Sequence, residues 1–123
     1  MYKIRTEFEF EAAHKLDLTY ESKCKNFHGH SYRCAVTIGS ETLDENGMVV
    51  DFTVLKKIIK DNIEDKLDHT NLNDIFKVNA TAEYMSKWIF DIINSKLAEN
   101  NINAKCTMVE LNETSKNKAI WEE

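Results

Sequence analysis

Two stretches of the chain alternate between apolar and polar residues, and this alternation restricts the possible folds more than any other feature. Residues 2–13 alternate around Phe10, and residues 28–42 alternate around Tyr32. A period of two is typical of a strand with one buried face. The sequence therefore predicts two strands, joined by a polar loop over residues 15–27.

Further strands are predicted on either side of a helical region. Asn46 and Gly47 favour a turn, because positive φ costs little there. Met48, Val49 and Val50 are then expected to return as a hairpin strand. Residues 104–113 alternate again and predict a last strand.

Between these strands the apolar period becomes helical. From about Thr53 one apolar stripe is formed by Leu55, Ile58, Ile59 and Ile63. Residues 68–80 are polar and predict a loop, after which Thr81 is expected to cap a second helix. The wide stripe of that second helix comprises Met85, Trp88, Ile89, Ile92, Ile93 and Leu97.

The order of elements predicts an α+β fold, in which a four-stranded antiparallel sheet carries two helices packed on one face. With 123 residues, we expect a single domain over residues 1–123. The second face of such a sheet lacks a partner, and oligomerisation would supply one.

Composition excludes several classes of protein. A formal charge of −5 argues against nucleic-acid binding, which needs a concentrated excess of cations. Lys23, Lys25 and Arg33 could still bind an anion locally, or could be ordinary surface charges. No apolar run is long enough for a membrane span or a signal peptide. Three cysteines at unrelated spacings do not form a disulfide framework, so we expect a cytoplasmic protein.

Three histidines provide the sharpest chemical signal. His28 and His30 are two apart, so in a strand both imidazoles point to one side. His14 ends the preceding strand in the same phase. If the strands pair, three nitrogen ligands converge without a fourth protein ligand, as in an open catalytic zinc site. The alternative is a surface or core cluster without a metal.

Three other groups could take part in chemistry. Cys24 lies four residues before His28 and could be a base or nucleophile, a fourth zinc ligand, or a simple loop residue. Asp68 beside His69 could form a proton shuttle, although adjacent residues also occur by chance. Glu113 could bind a planar N–H array or be an ordinary solvated strand end.

Taken together, the motifs resemble the 6-pyruvoyl-tetrahydropterin synthase family, which includes the bacterial 6-carboxytetrahydropterin synthases. The matching segments, in the family's order, are residues 10–14 (FEAAH), 24–30 (CKNFHGH), 50–52 (VDF), 67–74 (LDHTNLND), 79–83 (NATAE) and 113–114 (ET). They cover the chain from end to end. The chain departs from the family at Ala80, where proline is usual, and at Trp121, commonly tyrosine.

The resemblance implies roles for these residues. It makes His14, His28 and His30 the ligands of Zn²⁺, Cys24 the catalytic thiol, and Asp68 and His69 its acid–base partners. It implies that Glu113 anchors the pterin and that Thr81 lies in a segment lining the pterin pocket. It also implies the tunnelling fold, in which trimers close their sheets into a barrel and stack as a hexamer, with active sites between subunits.

The short spacing from Cys24 to His28 resembles the carboxytetrahydropterin branch. That branch implies a lyase converting 7,8-dihydroneopterin triphosphate to 6-carboxy-5,6,7,8-tetrahydropterin, acetaldehyde and triphosphate, on the route to queuosine. Two alternatives stay open. One is a 6-pyruvoyl-tetrahydropterin synthase, which eliminates triphosphate; the other is a non-catalytic zinc- and pterin-binding assembly protein.

Overall fold

The computed structural model describes residues 1–123. Its strands are β1 (Tyr2–His14), β2 (His28–Ser40), β3 (Thr70–Asn71), β4 (Lys105–Asn112) and β5 (Lys118–Glu122). Its helices are α1 (Phe52–Ile59), α2 (Asp65–Leu67), α3 (Leu72–Ile75) and α4 (Ala82–Glu99). A π-helical segment (Lys60–Glu64) joins α1 to α2, and a short 3₁₀ turn (Lys23–Lys25) precedes β2.

The strands form one mixed sheet in the order β3-β1-β2-β4-β5. The long pairs β1–β2, β2–β4 and β4–β5 are antiparallel, and only the two-residue β3 runs parallel to β1. The predicted α+β class is therefore confirmed, as is the packing of helices on one face. The sheet has five strands where the sequence predicted four.

The predicted hairpin strand Met48–Val50 is wrong. The Asp44 side chain accepts hydrogen bonds from the backbone N–H groups of Asn46 (2.8 Å) and Met48 (3.0 Å). Asp44 also donates its own N–H to the Met48 carbonyl at 2.8 Å. These bonds close a local turn around Gly47, whose φ is 78°, and they use the groups that a strand would need.

The fourth antiparallel strand is instead β5, Lys118–Glu122, which the sequence pattern does not predict. β5 lies at the edge of the sheet, and its residues are largely exposed, so no clean alternation marks it. Trp121 packs toward α4, where its ring centroid lies 6.3 Å from that of Phe90.

The core lies between the sheet and the helices. β1 and β2 contribute Phe10 and Tyr32, whose rings stack at 4.8 Å, and α4 contributes Met85, Ile89, Ile93 and Leu97, all fully buried. As predicted, Thr81 caps α4: its hydroxyl accepts the N–H of Tyr84 at 3.1 Å. None of the helices has the length and apolar character needed to cross a bilayer.

The opposite face of the sheet carries charged side chains and is not covered within the chain. Arg5 pairs with Glu7 (2.8 Å) and with Glu110 on β4 (3.2 Å), and Arg33 pairs with Glu9 (3.3 Å). Arg33 is thus on the face away from His28 and His30, because alternate strand residues point to opposite sides. It does not supply a cation to the histidine cluster.

Candidate metal centre and active site

The β1–β2 register brings the three histidines together. His14 lies directly opposite His28, and His30 lies opposite Ala12, two residues further along. Because residues two apart share a face, all three imidazoles point to the same side of the sheet. One ring nitrogen from each lies within 4.8 Å of the others. The predicted convergence of His14, His28 and His30 is therefore confirmed.

Backbone carbonyls hold two of the rings in the tautomer that a metal ligand requires. His14 donates from Nδ1 to the carbonyl of Ala80 at 2.9 Å, and His28 donates from Nδ1 to the carbonyl of Asn26 at 2.7 Å. Both Nε2 atoms then present lone pairs, and these atoms are only 3.0 Å apart. Two acceptors at this distance repel unless a cation lies between or near them, so the donor set fits a metal ion.

Burial favours the neutral form of the His14 and His30 imidazoles. It lowers the pKa of His14, which is fully buried; the Ala80 carbonyl opposes this shift, and the neighbouring His28 adds to it. Burial also lowers the pKa of His30, against the attraction of Glu113. Neutral imidazole is the form that binds a metal. The Nε2 atom of His30 is buried without a hydrogen-bond partner within the chain, and a metal ion would satisfy this atom.

Cys24 is not part of this cluster of possible ligand atoms, which contains the three histidines alone. It lies in the 3₁₀ turn, where its N–H is accepted by the Ser22 hydroxyl at 3.2 Å and its carbonyl accepts the N–H of Leu16 at 2.8 Å. The half-buried thiol thus sits on a fixed turn leading into β2. The geometry favours an open three-nitrogen site over a closed cage with a sulfur ligand.

Asp68 and His69 form the predicted carboxylate–imidazole pair. Oδ2 of Asp68 lies 3.0 Å from Nδ1 of His69, while Oδ1 accepts the backbone N–H of Glu11 at 2.8 Å. That N–H bond is the main reason that the pKa of Asp68 is lowered, with His69 contributing further. His69 itself adopts a left-handed backbone (φ 58°) and donates its N–H to the Glu11 carbonyl. Asp68 and His69 are therefore both hydrogen-bonded to Glu11 on β1.

The pair does not touch the histidine cluster of its own chain. The His69 side chain is 79% exposed, and no hydrogen bond or ring contact joins it to His14, His28 or His30. A shallow depression of about 410 Å³ is lined by His69 and His30 together with Glu11, Ala12, Ala13, Gly29, Ser31 and Thr70.

Glu113 and Thr81 flank the cluster. Glu113 follows β4, and its Oε1 lies 3.6 Å from Nε2 of His30, too far for a hydrogen bond. Its side chain is 32% exposed, so a carboxylate oxygen is available to a ligand. Thr81 follows Ala80, whose carbonyl orients His14, and the Thr81 hydroxyl is occupied in capping α4.

Three groups at this site were not predicted from the sequence: two backbone carbonyls and the hydroxyl of Tyr32. The carbonyls of Ala80 and Asn26 could not have been found, because every residue type supplies one. The Tyr32 hydroxyl is buried without a partner, and its ring centroid lies 5.5 Å from that of His30. Its position in phase with His28 and His30 was a signal, but the same phase is equally typical of core residues.

Comparison with known proteins yields consistent matches along the chain. A family model described as 6-pyruvoyl tetrahydropterin synthase matches residues 3–123. The 6-carboxy-5,6,7,8-tetrahydropterin synthase of Synechocystis is 43% identical over 95 residues, which is 73% of each chain. The synthase of the same name from Aquifex aeolicus is 34% identical, with 99% of this chain and 98% of that one aligned.

A solved structure supports the same relationship. The 6-pyruvoyl tetrahydropterin synthase of Caenorhabditis elegans superposes with a TM-score of 0.82 and is 28% identical, covering 99% of this chain and 95% of that one. All these names describe synthases of a tetrahydropterin.

Proposed function

This chain belongs to the 6-pyruvoyl tetrahydropterin synthase family, and we propose that within it the protein is a zinc-dependent 6-carboxy-5,6,7,8-tetrahydropterin synthase. The proposed substrate is 7,8-dihydroneopterin triphosphate. The products are 6-carboxy-5,6,7,8-tetrahydropterin, acetaldehyde and triphosphate, formed in the cytoplasm on the route to queuosine.

One observation carries the proposal: the imidazoles of His14, His28 and His30 converge on one side of the sheet, and the Cys24 turn precedes β2, which carries two of them. Three nitrogen ligands with no fourth protein ligand suit a catalytic zinc ion, which keeps a position for substrate or water. The short Cys24–His28 spacing and the curated carboxy-synthase relatives support this branch over the pyruvoyl branch.

The protein's own residues have distinct parts in the proposed reaction. A bound zinc ion would polarise the side-chain hydroxyls of the substrate, which lowers the cost of removing adjacent protons. Cys24, as a thiolate, takes one such proton. His69 exchanges another through Nε2, because Asp68 occupies its Nδ1 and fixes the tautomer. Glu113 accepts hydrogen bonds from the N–H edge of the pterin, so that proton transfer proceeds in a fixed geometry.

We propose a homo-oligomer, a hexamer built as a dimer of trimers, with active sites between subunits. Two features support this arrangement: one face of the sheet is uncovered, and His69 is exposed and forms no hydrogen bond or ring contact with the histidine cluster of its own chain. A neighbouring subunit would then bring its Asp68–His69 pair to the cluster, and Thr81 would lie beside the pterin pocket.

Product analysis tests the reaction. The zinc-loaded protein is incubated with 7,8-dihydroneopterin triphosphate, and the products are identified by mass spectrometry. We expect acetaldehyde with a carboxypterin. A pyruvoyl pterin would assign the protein to the alternative branch, which the likeness to the Caenorhabditis elegans enzyme keeps as the second candidate. Full zinc loading with no product would support the non-catalytic assembly protein instead.

A further inference from the structure

Two asparagines outside the candidate site bind the backbone just after the end of β1. Asn73 accepts the N–H of Lys15 at 2.8 Å and donates to the Lys15 carbonyl at 3.0 Å. Asn79 makes the same pair of bonds with Asp17, both at 2.9 Å. A side-chain amide carries a donor and an acceptor side by side, so it can satisfy both backbone groups of one residue. The chain is therefore held in place where the strand has ended.

Both asparagines extend from segments that are anchored in the core. Asn73 lies in α3, whose Leu72 is fully buried, and the buried Phe76 follows this helix. Asn79 directly precedes Ala80, which is also fully buried. Because these neighbours are packed, the two side-chain amides have fixed origins. They can therefore fix a loop that has no regular structure of its own.

The segment that they hold supports the Cys24 turn. Leu16 lies between the two bound residues and donates its N–H to the Cys24 carbonyl at 2.8 Å. This is the one backbone hydrogen bond that joins residues 15–17 to the 3₁₀ turn. The bond from the Cys24 N–H to the Ser22 hydroxyl lies within the turn and does not fix it to its surroundings. The position of the thiol relative to His14 therefore depends on Leu16.

We propose that Asn73 and Asn79 are positioning residues, which place the thiol of Cys24 relative to the histidine cluster through Leu16. The inference rests on the proposed function, because it requires Cys24 to be the group that takes a proton. A misplacement of about 1 Å at a reacting group can lower a rate about a hundredfold. Neither asparagine forms a hydrogen bond with the three histidines, so its loss leaves the metal ligands in place.

Hydrogen exchange at the Leu16 amide tests this support without turnover. The zinc-loaded wild type is compared with Asn73→Ala and Asn79→Ala, and exchange is followed by mass spectrometry of overlapping peptides. We expect the Leu16 amide to exchange about tenfold faster in each variant, because the loss of two hydrogen bonds raises the population in which the segment opens. Asn73 is exposed, so its variant tests the inference even where Asn79→Ala fails to fold.

Asn94→Ala is the matched control. Asn94 binds the backbone of Cys106 with the same pair of bonds, accepting the N–H at 2.9 Å and donating to the carbonyl at 3.2 Å. This pair joins α4 to β4 and includes no residue of the held segment or of the Cys24 turn. Its loss should lower the urea midpoint, while exchange at Leu16 and kcat stay as in the wild type.

Turnover provides the second measurement. Asn73→Ala and Asn79→Ala should lower kcat about tenfold to a hundredfold with KM and zinc content nearly unchanged, because the contacts to substrate and metal are retained. Normal kcat with faster Leu16 exchange, or unchanged Leu16 exchange, would overturn the inference and leave the proposed function intact. No turnover by the wild type would overturn the proposed function, and the inference with it.

Discussion

At the scale of single residues, hydrogen bonds from backbone carbonyls decide which ring nitrogens face the candidate metal position. The carbonyl of Ala80 accepts a hydrogen bond from His14 Nδ1. The family's usual residue at this position is proline, which would supply the same carbonyl. The N–H of Ala80 forms no hydrogen bond in the chain. The departure from the family therefore affects the flexibility of the segment and leaves the orientation of His14 unchanged.

Ala80→Pro should stabilise the protein. A proline lowers the entropy of the unfolded chain, and no hydrogen bond is lost, so we expect about 0.5–1 kcal/mol of added stability with unchanged zinc affinity. Urea denaturation of the two proteins measures the difference. A loss of stability would mean that the backbone at this position is incompatible with the φ of proline.

Cys24→Ala should separate chemistry from metal binding. Since Cys24 lies outside the ligand cluster, zinc content should stay at the wild-type level while turnover falls about 10²–10⁴-fold. His28→Ala is the comparison variant, and it should lose zinc as well. Metal loss in Cys24→Ala would instead identify the thiol as a structural ligand.

The other two cysteines should be inert to alkylation. Burial raises the pKa of Cys34, and it raises that of Cys106 to about 12, so both remain protonated thiols at pH 8. Only the thiolate reacts. Iodoacetamide at pH 8 should therefore add one group, at Cys24, and abolish turnover. Peptide mapping that finds Cys34 or Cys106 modified in the folded protein would contradict this.

At the scale of elements, the sequence predicted the strands and helices whose apolar residues recur with a clear period. The alternation identified β1 and β2 and hence the meeting of His14 with His28 and His30. It could not predict that Asp44 would use its carboxylate to close a turn where a hairpin strand was expected. It also gave no sign of β5, whose residues are mostly exposed, or of the two-residue β3.

The two-residue strand β3 directly follows Asp68 and His69. Hydrogen bonds between these two residues and Glu11 hold this segment against β1. Asp68→Asn weakens the bond to the Glu11 N–H and releases His69, so we expect lower kcat and a less stable protein at pH 7. The pKa of Asp68 is lower in the folded state than in the unfolded state, so the ionised carboxylate stabilises the folded protein. This stabilisation is complete at pH values above the unfolded-state pKa and is lost as the pH falls through the folded-state pKa.

The stability difference between wild type and Asp68→Asn should therefore shrink on acidification. Urea denaturation at pH 7 and near pH 3 measures it, with Asp65→Asn as a control, since Asp65 pairs with Lys60 away from β1. An equal difference at both pH values would show that the charge of Asp68 is not what holds the segment.

At the scale of the whole molecule, the uncovered face of the sheet and the exposed Asp68–His69 pair are the two features that support the proposed oligomer. The sequence predicts that one face of the sheet lacks a partner. Only the geometry within one chain shows that no hydrogen bond or ring contact joins His69 to the histidines it is proposed to serve. The residue motifs alone gave no information about which subunit contributes which group.

Mixing two inactive variants tests this division of the site. His28→Ala removes the cluster of a subunit, and His69→Ala removes its acid–base partner. If each site combines a cluster from one subunit with a His69 from another, random mixing in equal amounts restores both groups at about one quarter of the sites. If each site lay within one chain, every site would keep a defect and no activity would return. Co-refolding the two variants and measuring turnover decides between these arrangements, and mixing each variant with itself is the control.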